Sequence, residues 1–275
     1  MKTNYDWQKI LLECKNNVKT NIQPYLSTIK EPQPNLGIGA GGDSMKPMDL
    51  AAETAIVDTL KRFEVFFTLI SEESGVKKYG DAAGDCFVTV DPIDGSTNFM
   101  HGLPFYCCSI AVSNKRTLND VYAGLVADLA HDVTYTAFQG KGAFRDSKKI
   151  QTSKNTALEE AVVGLDLNTY KVKELIPKIT PLIAKTKHIR HFGANALELC
   201  YVANGLTDAF VDIRGKLRTT DVAAGFLILK EAGGIVTTPD NQVFNVELDP
   251  KKTMSFIASG NIEIHKKIIN LVKAC

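Results

Sequence analysis

The segment that most constrains this chain is an apolar run that ends in two acids and a glycine turn. Cys86-Phe87-Val88-Thr89-Val90 reads as a buried strand, and Asp91-Pro92-Ile93-Asp94-Gly95-Ser96-Thr97-Asn98 follows at once. A strand end that delivers two carboxylates into a Gly-rich turn is suited to a hard cation. Mg²⁺ takes oxygen ligands and usually only one or two protein carboxylates, which leaves room for water and phosphate. Gly95 and the residues after it can offer backbone N–H groups to a phosphate if a helix starts there. The local chemistry points to metal plus phosphate.

The 275 residues allow one large domain or two small ones. Apolar content of 44% and charged content of 23% are those of a soluble globular chain. The 32 basic and 31 acidic residues leave a net charge of +1, so nucleic acid is not an expected partner. The six cysteines, at 14, 86, 107, 108, 200 and 275, form no Cys-x-x-Cys pair, which argues against zinc and for reduced thiols. The start, Met1-Lys2-Thr3-Asn4-Tyr5-Asp6, lacks the apolar core of a signal peptide, and no run is long and apolar enough to span a bilayer. The expectation is a cytoplasmic protein with no membrane partner.

Trp7, Ile10, Leu11, Cys14, Val18, Ile22 and Leu26 fall at helical spacing, with Asp6 placed to cap the start. A Pro- and Gly-rich connection spans 31–42, and a second helix is expected over 49–61. Residues 65–70 read as a strand that ends in Ser71-Glu72-Glu73-Ser74. Residues 106–112, 121–127 and 133–138 read as successive antiparallel strands, and Gly140-Lys141-Gly142 turns the chain back. In the second half, strands are expected at 161–165, 188–192, 209–211, 235–237 and 254–258, and helices at 194–203, 221–232 and 262–272. The pattern over 172–185 is mostly helical, but Pro177 and Pro181 argue against one regular helix there. Strands and helices mixed in this way imply layered α and β structure.

Acids mark several element ends: Glu72-Glu73 after one strand, Asp91 and Asp94 after the next, Asp49 and Asp221 at helix starts. Singly, an Asp at a helix start is ordinarily an N-cap, and paired Glu residues in a loop are ordinarily solvated. Together, acids at several element ends could converge on one point.

Taken in order, Glu72-Glu73-Ser74, the run from Asp91 to Phe99, Phe138-Gln139-Gly140-Lys141-Gly142-Ala143-Phe144, Asp221-Val222-Ala223-Ala224-Gly225 and Glu231-Ala232-Gly233-Gly234 resemble the signatures of the inositol monophosphatase family. The segment Phe192-Gly193-Ala194-Asn195-Ala196-Leu197-Glu198-Leu199 is similar to the archaeal members, which often hydrolyse both inositol 1-phosphate and fructose 1,6-bisphosphate. The resemblance implies an α/β fold, a layered α/β/α/β/α sandwich. It implies one domain over 1–275, with a metal-binding half at 1–150 and a substrate-pocket half at 151–275. It also implies a homodimer, two or three Mg²⁺ ions per site with Mn²⁺ as a substitute, and a small phosphate ester as substrate.

Roles follow from the resemblance residue by residue. Glu72, Asp91 and the backbone carbonyl of Ile93 match the ligands of a first Mg²⁺; Asp91, Asp94 and Asp221 match those of a second. Glu72 also matches a ligand of a third, weaker ion. Gly95 and Ser96 match a phosphate-cradling turn, and Ser96 with Asp49 a hydroxyl–carboxylate pair that orients and deprotonates the attacking water. Gly193, Ala194 and Asp212 match the sugar or polyol pocket. Ser96 stands where many members have Thr and keeps the hydroxyl; Thr220 stands where animal enzymes have Trp and bears on the pocket. Arg190 is a candidate for a second, distal phosphate, with Arg214, Lys216 and Arg218 behind it.

The reaction needs such an apparatus. Enzymes accelerate phosphate-monoester hydrolysis by up to ~10²¹-fold, roughly 29 kcal/mol of barrier. A general base supplies only ~10²- to 10⁴-fold, roughly 3 to 5 kcal/mol. Metal ions must therefore carry the larger part.

Gly37-Ile38-Gly39-Ala40-Gly41-Gly42 matches Gly-x-Gly-x-x-Gly, but Pro32 and Pro34 precede it and Pro47 follows. The resemblance implies instead a mobile loop that covers the metal site, which Asp43 and Lys46 could approach, and this is the better reading than a dinucleotide fingerprint. Histidines 101, 131, 188 and 191 lack metal-ligand spacing. An aspartyl-nucleophile phosphatase needs Asp-x-Asp, whereas Asp91 and Asp94 are spaced Asp-x-x-Asp. Two further readings stay open: a nucleotide-phosphate phosphatase acting on 3′-phosphoadenosine 5′-phosphate or NADP, and a relative that binds phosphate without turnover.

Overall fold

A computed structural model describes residues 5–27, 34, 36–80, 84–167 and 172–273. Residues 1–4 of the chain start, 31–33 and 35 of the expected connection, and Cys275 lie outside them.

Helix α1 (Trp7–Leu26) is capped as expected, Asp6 accepting from the Lys9 N–H at 3.1 Å. Helix α2 (Pro47–Arg62) starts two residues before the expected bound, because Pro47 at its first position presets φ for a helix. There follow β1 (Phe67–Ser71), β2 (Gly75–Tyr79), β3 (Phe87–Asp94), α3 (Ser96–His101), β4 (Cys107–Ser113), β5 (Val121–Asp128), β6 (Val133–Phe138), β7 (Gly142–Arg145) and β8 (Lys148–Lys149). These strands form one sheet in the order β2-β1-β3-β4-β5-β6-β7-β8, with β1 and β3 parallel and the other neighbours antiparallel. The chain continues through β9 (Val162–Leu165), α4 (Val172–Lys185), β10 (His188–Arg190), α5 (Asn195–Ala203), β11 (Ala209–Arg218), α6 (Thr219–Glu231), β12 (Ile235–Thr237), β13 (Thr253–Ser259) and α7 (Ile262–Lys273). The second sheet runs β10-β9-β11-β13-β12, with β9 parallel to both neighbours.

The apolar faces stack these elements into five layers. Helices α1 and α2 cover one face of the first sheet through Leu11, Ile56, Leu60 and Phe67. Helices α5 and α6 fill the space between the sheets, where Leu197, Phe226 and Ile228 meet Val126, Phe210 and Phe256. Helices α4 and α7 close the far side through Ile179, Leu182, Ile264 and Ile268. The result is the α/β/α/β/α sandwich that the resemblance implied. Among the described residues no helix is long and apolar enough to cross a membrane.

Three local expectations are corrected. Helix α4 is continuous through Pro177 and Pro181. The two prolines are four apart, so they share one side of the helix, and Pro177 is exposed. Burial of Ile179 and Leu182 on the other side outweighs the missing backbone hydrogen bonds. Strand β2 escaped the sequence reading because it is an edge strand whose Lys77 and Lys78 face solvent, leaving no apolar alternation. Strand β11 runs seven residues past its expected end, through a bulge between Asp212 and Leu217.

Candidate active site

Strand β3 is where the acids are set. Residues three apart on a regular strand point to opposite faces. Opposite β4, the register shifts between Asp91, paired with Ser109, and Asp94, paired with Cys107: three steps on β3 face two on β4. That bulge, at Pro92-Ile93, turns Asp94 back to the side of Asp91. Glu72 arrives from the turn between β1 and β2, and Asp221 from the third residue of α6. One carboxylate oxygen each from Glu72, Asp91 and Asp221 lie within 4.8 Å of one another.

The environment of these acids is hostile to bare negative charge. Burial, then repulsion from Asp221, pushes Glu72 up to about 9, against the opposing pull of Arg218. Asp91 is held well above the usual carboxylate range by burial and then by Glu72, Asp94 and Asp221. Burial and Asp221 raise Asp94 to about 7, although its Oδ2 accepts from the Ala196 N–H at 2.6 Å. Asp49 and Glu73 are likewise raised to about 7, burial first, and Asp49 Oδ1 and Glu73 Oε2 have no hydrogen-bond partner. Clustered carboxylates that resist ionisation, with orphaned oxygens beside them, fit a hard divalent cation taking oxygen ligands.

Asp49 and Asp221 are not N-caps. Lys46 and Arg218 occupy those positions, and each Asp is the third helical residue. Asp221 Oδ2 accepts from the Arg218 N–H at 3.0 Å, which fixes its carboxylate as part of a capping box.

Arg218, read from the sequence toward the substrate, reaches into the acids. Its Nη2 lies 2.7 Å from Glu72 Oε1, its Nη1 2.7 Å from Asp43 Oδ2, and its Nε 3.4 Å from Asp221 Oδ1. The Gly-rich loop is pinned beside it, with Ala40 N–H donating to the Glu73 carbonyl at 3.0 Å and Gly41 N–H to the Glu72 carbonyl at 2.8 Å. No strand precedes this loop among the described residues, and α2 starts only at Pro47, so it lacks the dinucleotide-binding context.

The Gly95–Ser96 turn packs tightly on the second half. Gly95 has φ +89° and caps α3; a Cβ there would stand 3.0 Å from Ala194 Cβ and from the Phe105 carbonyl. Ser96 is the first residue of α3, and Ile93 is buried in the bulge. Gly193 and Ala194 lead into α5 against this turn. Asp212 is fully buried, and Arg214 holds both its oxygens, with Nη2 at 2.5 Å and Nε at 3.1 Å. The same guanidinium reaches Asp166 at 2.5 Å. Arg190 is exposed and donates to the carbonyl of Ile189.

Sequence reasoning passed over Asp166, Glu198 and Asn98, which the fold brings into contact with Arg214, with the Gly193 N–H and with the Phe105 and Phe192 carbonyls. Asp166 carried one signal: it follows β9 directly, and the carboxyl ends of parallel strands are where α/β sheets bind ligands.

Comparison with known proteins agrees with this geometry. Residues 11–275 match the description of the inositol monophosphatase family. A fructose-1,6-bisphosphatase/inositol-1-monophosphatase of Methanothermobacter thermautotrophicus is 34% identical over 98% of this chain and 97% of its own. A bifunctional NADP phosphatase/NAD kinase of Methanococcus maripaludis is 31% identical over 97% of this chain, which spans about half (49%) of that protein. A solved inositol monophosphatase–fructose 1,6-bisphosphatase superposes with a TM-score of 0.84 at 28% identity, covering 97% of this chain and all (100%) of that one.

Proposed function

The chain belongs to the inositol monophosphatase family, and from that premise we propose that it is a Mg²⁺-dependent phosphomonoesterase of sugar or polyol phosphates. Myo-inositol 1-phosphate and fructose 1,6-bisphosphate are the substrates it should turn over. The observation that carries the reading is the convergence of Glu72, Asp91 and Asp221 within 4.8 Å, beside buried Asp94 and under the Gly95–Ser96 turn.

Glu72, Asp91, the Ile93 carbonyl, Asp94 and Asp221 would hold the ions. When bound, Mg²⁺ supplies charge neutralisation and a lowered water pKa. The remaining work falls to the chain. The Ser96 hydroxyl orients the attacking water and passes its proton toward Asp49, whose Oδ1 is an open acceptor. Burial holds Asp49 near 7, close to the working pH that a general base requires. Gly95 and the start of α3 direct N–H groups to the phosphate, and the absence of a side chain at Gly95 keeps Gly193 and Ala194 close to it. No covalent phosphoenzyme is needed.

For a bisphosphate, the exposed Arg190 is the favoured distal ligand, because Arg214 is bound to Asp166 and Asp212 and Arg218 to Glu72 and Asp43. A phosphate-release panel with Mg²⁺ tests the reading on fructose 1,6-bisphosphate, myo-inositol 1-phosphate and NADP. The expected result is turnover of the first two, with Arg190→Ala lowering kcat/KM for the bisphosphate by roughly 10- to 150-fold and the monophosphate much less. Turnover of NADP alone would replace the sugar-phosphate reading with the activity named for the Methanococcus relative.

A further inference from the structure

The wall that faces the phosphate turn hangs on one peptide unit, the amide between Phe192 and Gly193. Its carbonyl accepts from Asn98 Nδ2 at 2.7 Å. Its N–H donates to Glu198 Oε1 at 3.1 Å. Asn98 comes from α3, directly after the phosphate turn, and Glu198 from α5, beyond the wall. One amide plane is thus gripped at both polar atoms by side chains from opposite sides.

Each grip is specific in its chemistry. The second proton of Asn98 Nδ2 goes to the Phe105 carbonyl, also at 2.7 Å. That nitrogen meets two carbonyl oxygens, so a carboxylate in its place would present only acceptors to acceptors. Gly193 has φ +82°, in the left-handed region, and a Cβ there would stand 3.4 Å from Asn98 Nδ2. Glu198 is 3% exposed, and its Oε2 has no hydrogen-bond partner. That oxygen lies against Gly164 of β9, where a Cβ would come within 2.6 Å. Gly164 therefore leaves the space that the carboxyl of Glu198 fills. Burial pushes Glu198 up to about 8, so at neutral pH it carries a proton while Oε1 stays an acceptor.

We propose that Asn98 and Glu198 are a pair of positioning residues that clamp the Phe192–Gly193 peptide, and so set the substrate-facing wall of Gly193 and Ala194 against the phosphate turn. The role in turnover rests on the phosphatase reading above; the clamp itself is a property of the free protein. The wall receives the part of the substrate that does not react, in ground state and transition state alike. Loosening it therefore weakens uniform binding, which raises KM and leaves kcat nearly unchanged.

Four variants test this: Asn98→Ala, Asn98→Asp, Glu198→Ala and Glu198→Gln. Hydrogen exchange of the Gly193 amide in the protein alone is the first readout. It should accelerate by roughly 10-fold or more in Glu198→Ala and both Asn98 variants, and stay near wild type in Glu198→Gln, which keeps the Oε1 acceptor. Steady-state kinetics on myo-inositol 1-phosphate is the second. KM should rise roughly 5- to 15-fold in the same three variants, with kcat within about twofold, and Glu198→Gln should restore it. Wild-type Gly193 exchange in Asn98→Ala and Glu198→Ala would overturn the clamp. So would Asn98→Asp behaving as wild type, Glu198→Gln failing as badly as Glu198→Ala, or a loss falling on kcat alone. Should Glu198→Ala not fold, the Asn98 pair and Glu198→Gln carry the same decision. If the parent protein releases no phosphate, the functional reading fails, and Gly193 exchange still judges the clamp.

Discussion

Stripping divalent cations should make this protein lose stability as pH rises through neutrality, and restoring Mg²⁺ should remove the part of that loss that the acid cluster causes. The argument starts from Glu72, whose carboxyl is raised from 4.5 to about 9 by burial and by Asp221. A carboxyl with a folded value above its unfolded value favours folding while it is protonated. Its contribution is complete below 4.5 and is lost as pH rises toward about 9. Between pH 6.5 and 8.5 this one group should cost about 3 kcal/mol, at about 1.36 kcal/mol per pH unit. Across this window His265 and the thiols of Cys14 and Cys86 contribute little, whereas Glu198, raised to about 8, and Asp49 and Glu73, raised to about 7, add slope of the same sign. Asp91 and Asp94 titrate with Glu72 as one cluster, so any further proton they hold steepens the slope, and about 3 kcal/mol is the share of one proton. Urea unfolding in EDTA and in saturating Mg²⁺ across this window measures the effect. The expected result is a falling curve in EDTA, a shallower one in Mg²⁺ that keeps the slope of Glu198, and a shallower EDTA curve for Glu72→Gln. Stability that is level or rising with pH in EDTA, with no added stability from Mg²⁺, would refute the claim that these carboxylates are held together for a cation.

His265 tests the same linkage with the opposite sign. It is buried between Thr237 Oγ1 and Ser259 Oγ, and burial lowers it from 6.5 to about 4. The unfolded chain takes up a proton that the folded one refuses, so stability is intact above 6.5 and falls by up to about 3 kcal/mol as pH drops toward 4; His265→Gln should remove that part of the slope in urea melts. Gly41→Ala puts a Cβ 2.8 Å from Arg218 Nη1 and 2.9 Å from Glu72 Cγ, so one of these groups must move. Mg²⁺ affinity by calorimetry should drop roughly 10- to 100-fold, the usual effect of disturbing groups that orient metal ligands; unchanged affinity would deny them that role. Ser96→Ala and Asp49→Asn should each lower turnover by roughly 10²- to 10⁴-fold with little change in Mg²⁺ affinity. Their double variant should cost little more than the worse single one, and fully additive losses would show that the two act independently.

The layered fold and the gathering of Glu72, Asp91 and Asp221 were legible mainly through the resemblance of the motifs, since residue type and order alone said only that acids at several element ends could converge. The means of gathering was not. From spacing alone, Asp91 and Asp94 belong on opposite faces of β3, and only the bulge against Ser109 and Cys107 aligns them. The prolines of α4 misled because a local rule yielded to packing of Ile179 and Leu182, which no local window contains. The arginines were legible as cations but not in their pairing. Asp166 follows β9 and Arg214 lies on β11, and their contact exists only once these strands align. Asp212 and Arg214 are two apart, a same-face spacing that could have been read as a pair. Glu198 and Asn98 look like an ordinary helix acid and a motif residue until the Phe192–Gly193 peptide is folded between them.

The most direct test of the central claim is phosphate release by wild type and Asp91→Asn, measured with saturating Mg²⁺ on myo-inositol 1-phosphate and fructose 1,6-bisphosphate. Asp91 is 4% exposed and stands at the centre of the acid cluster, so a neutral amide there should damage both ion sites at once. Wild type should turn over both substrates and fall to background in EDTA, and Asp91→Asn should be inactive on both. Asp91→Asn retaining more than roughly 10% of wild-type turnover, or wild-type turnover undiminished by EDTA, would contradict the two-metal account.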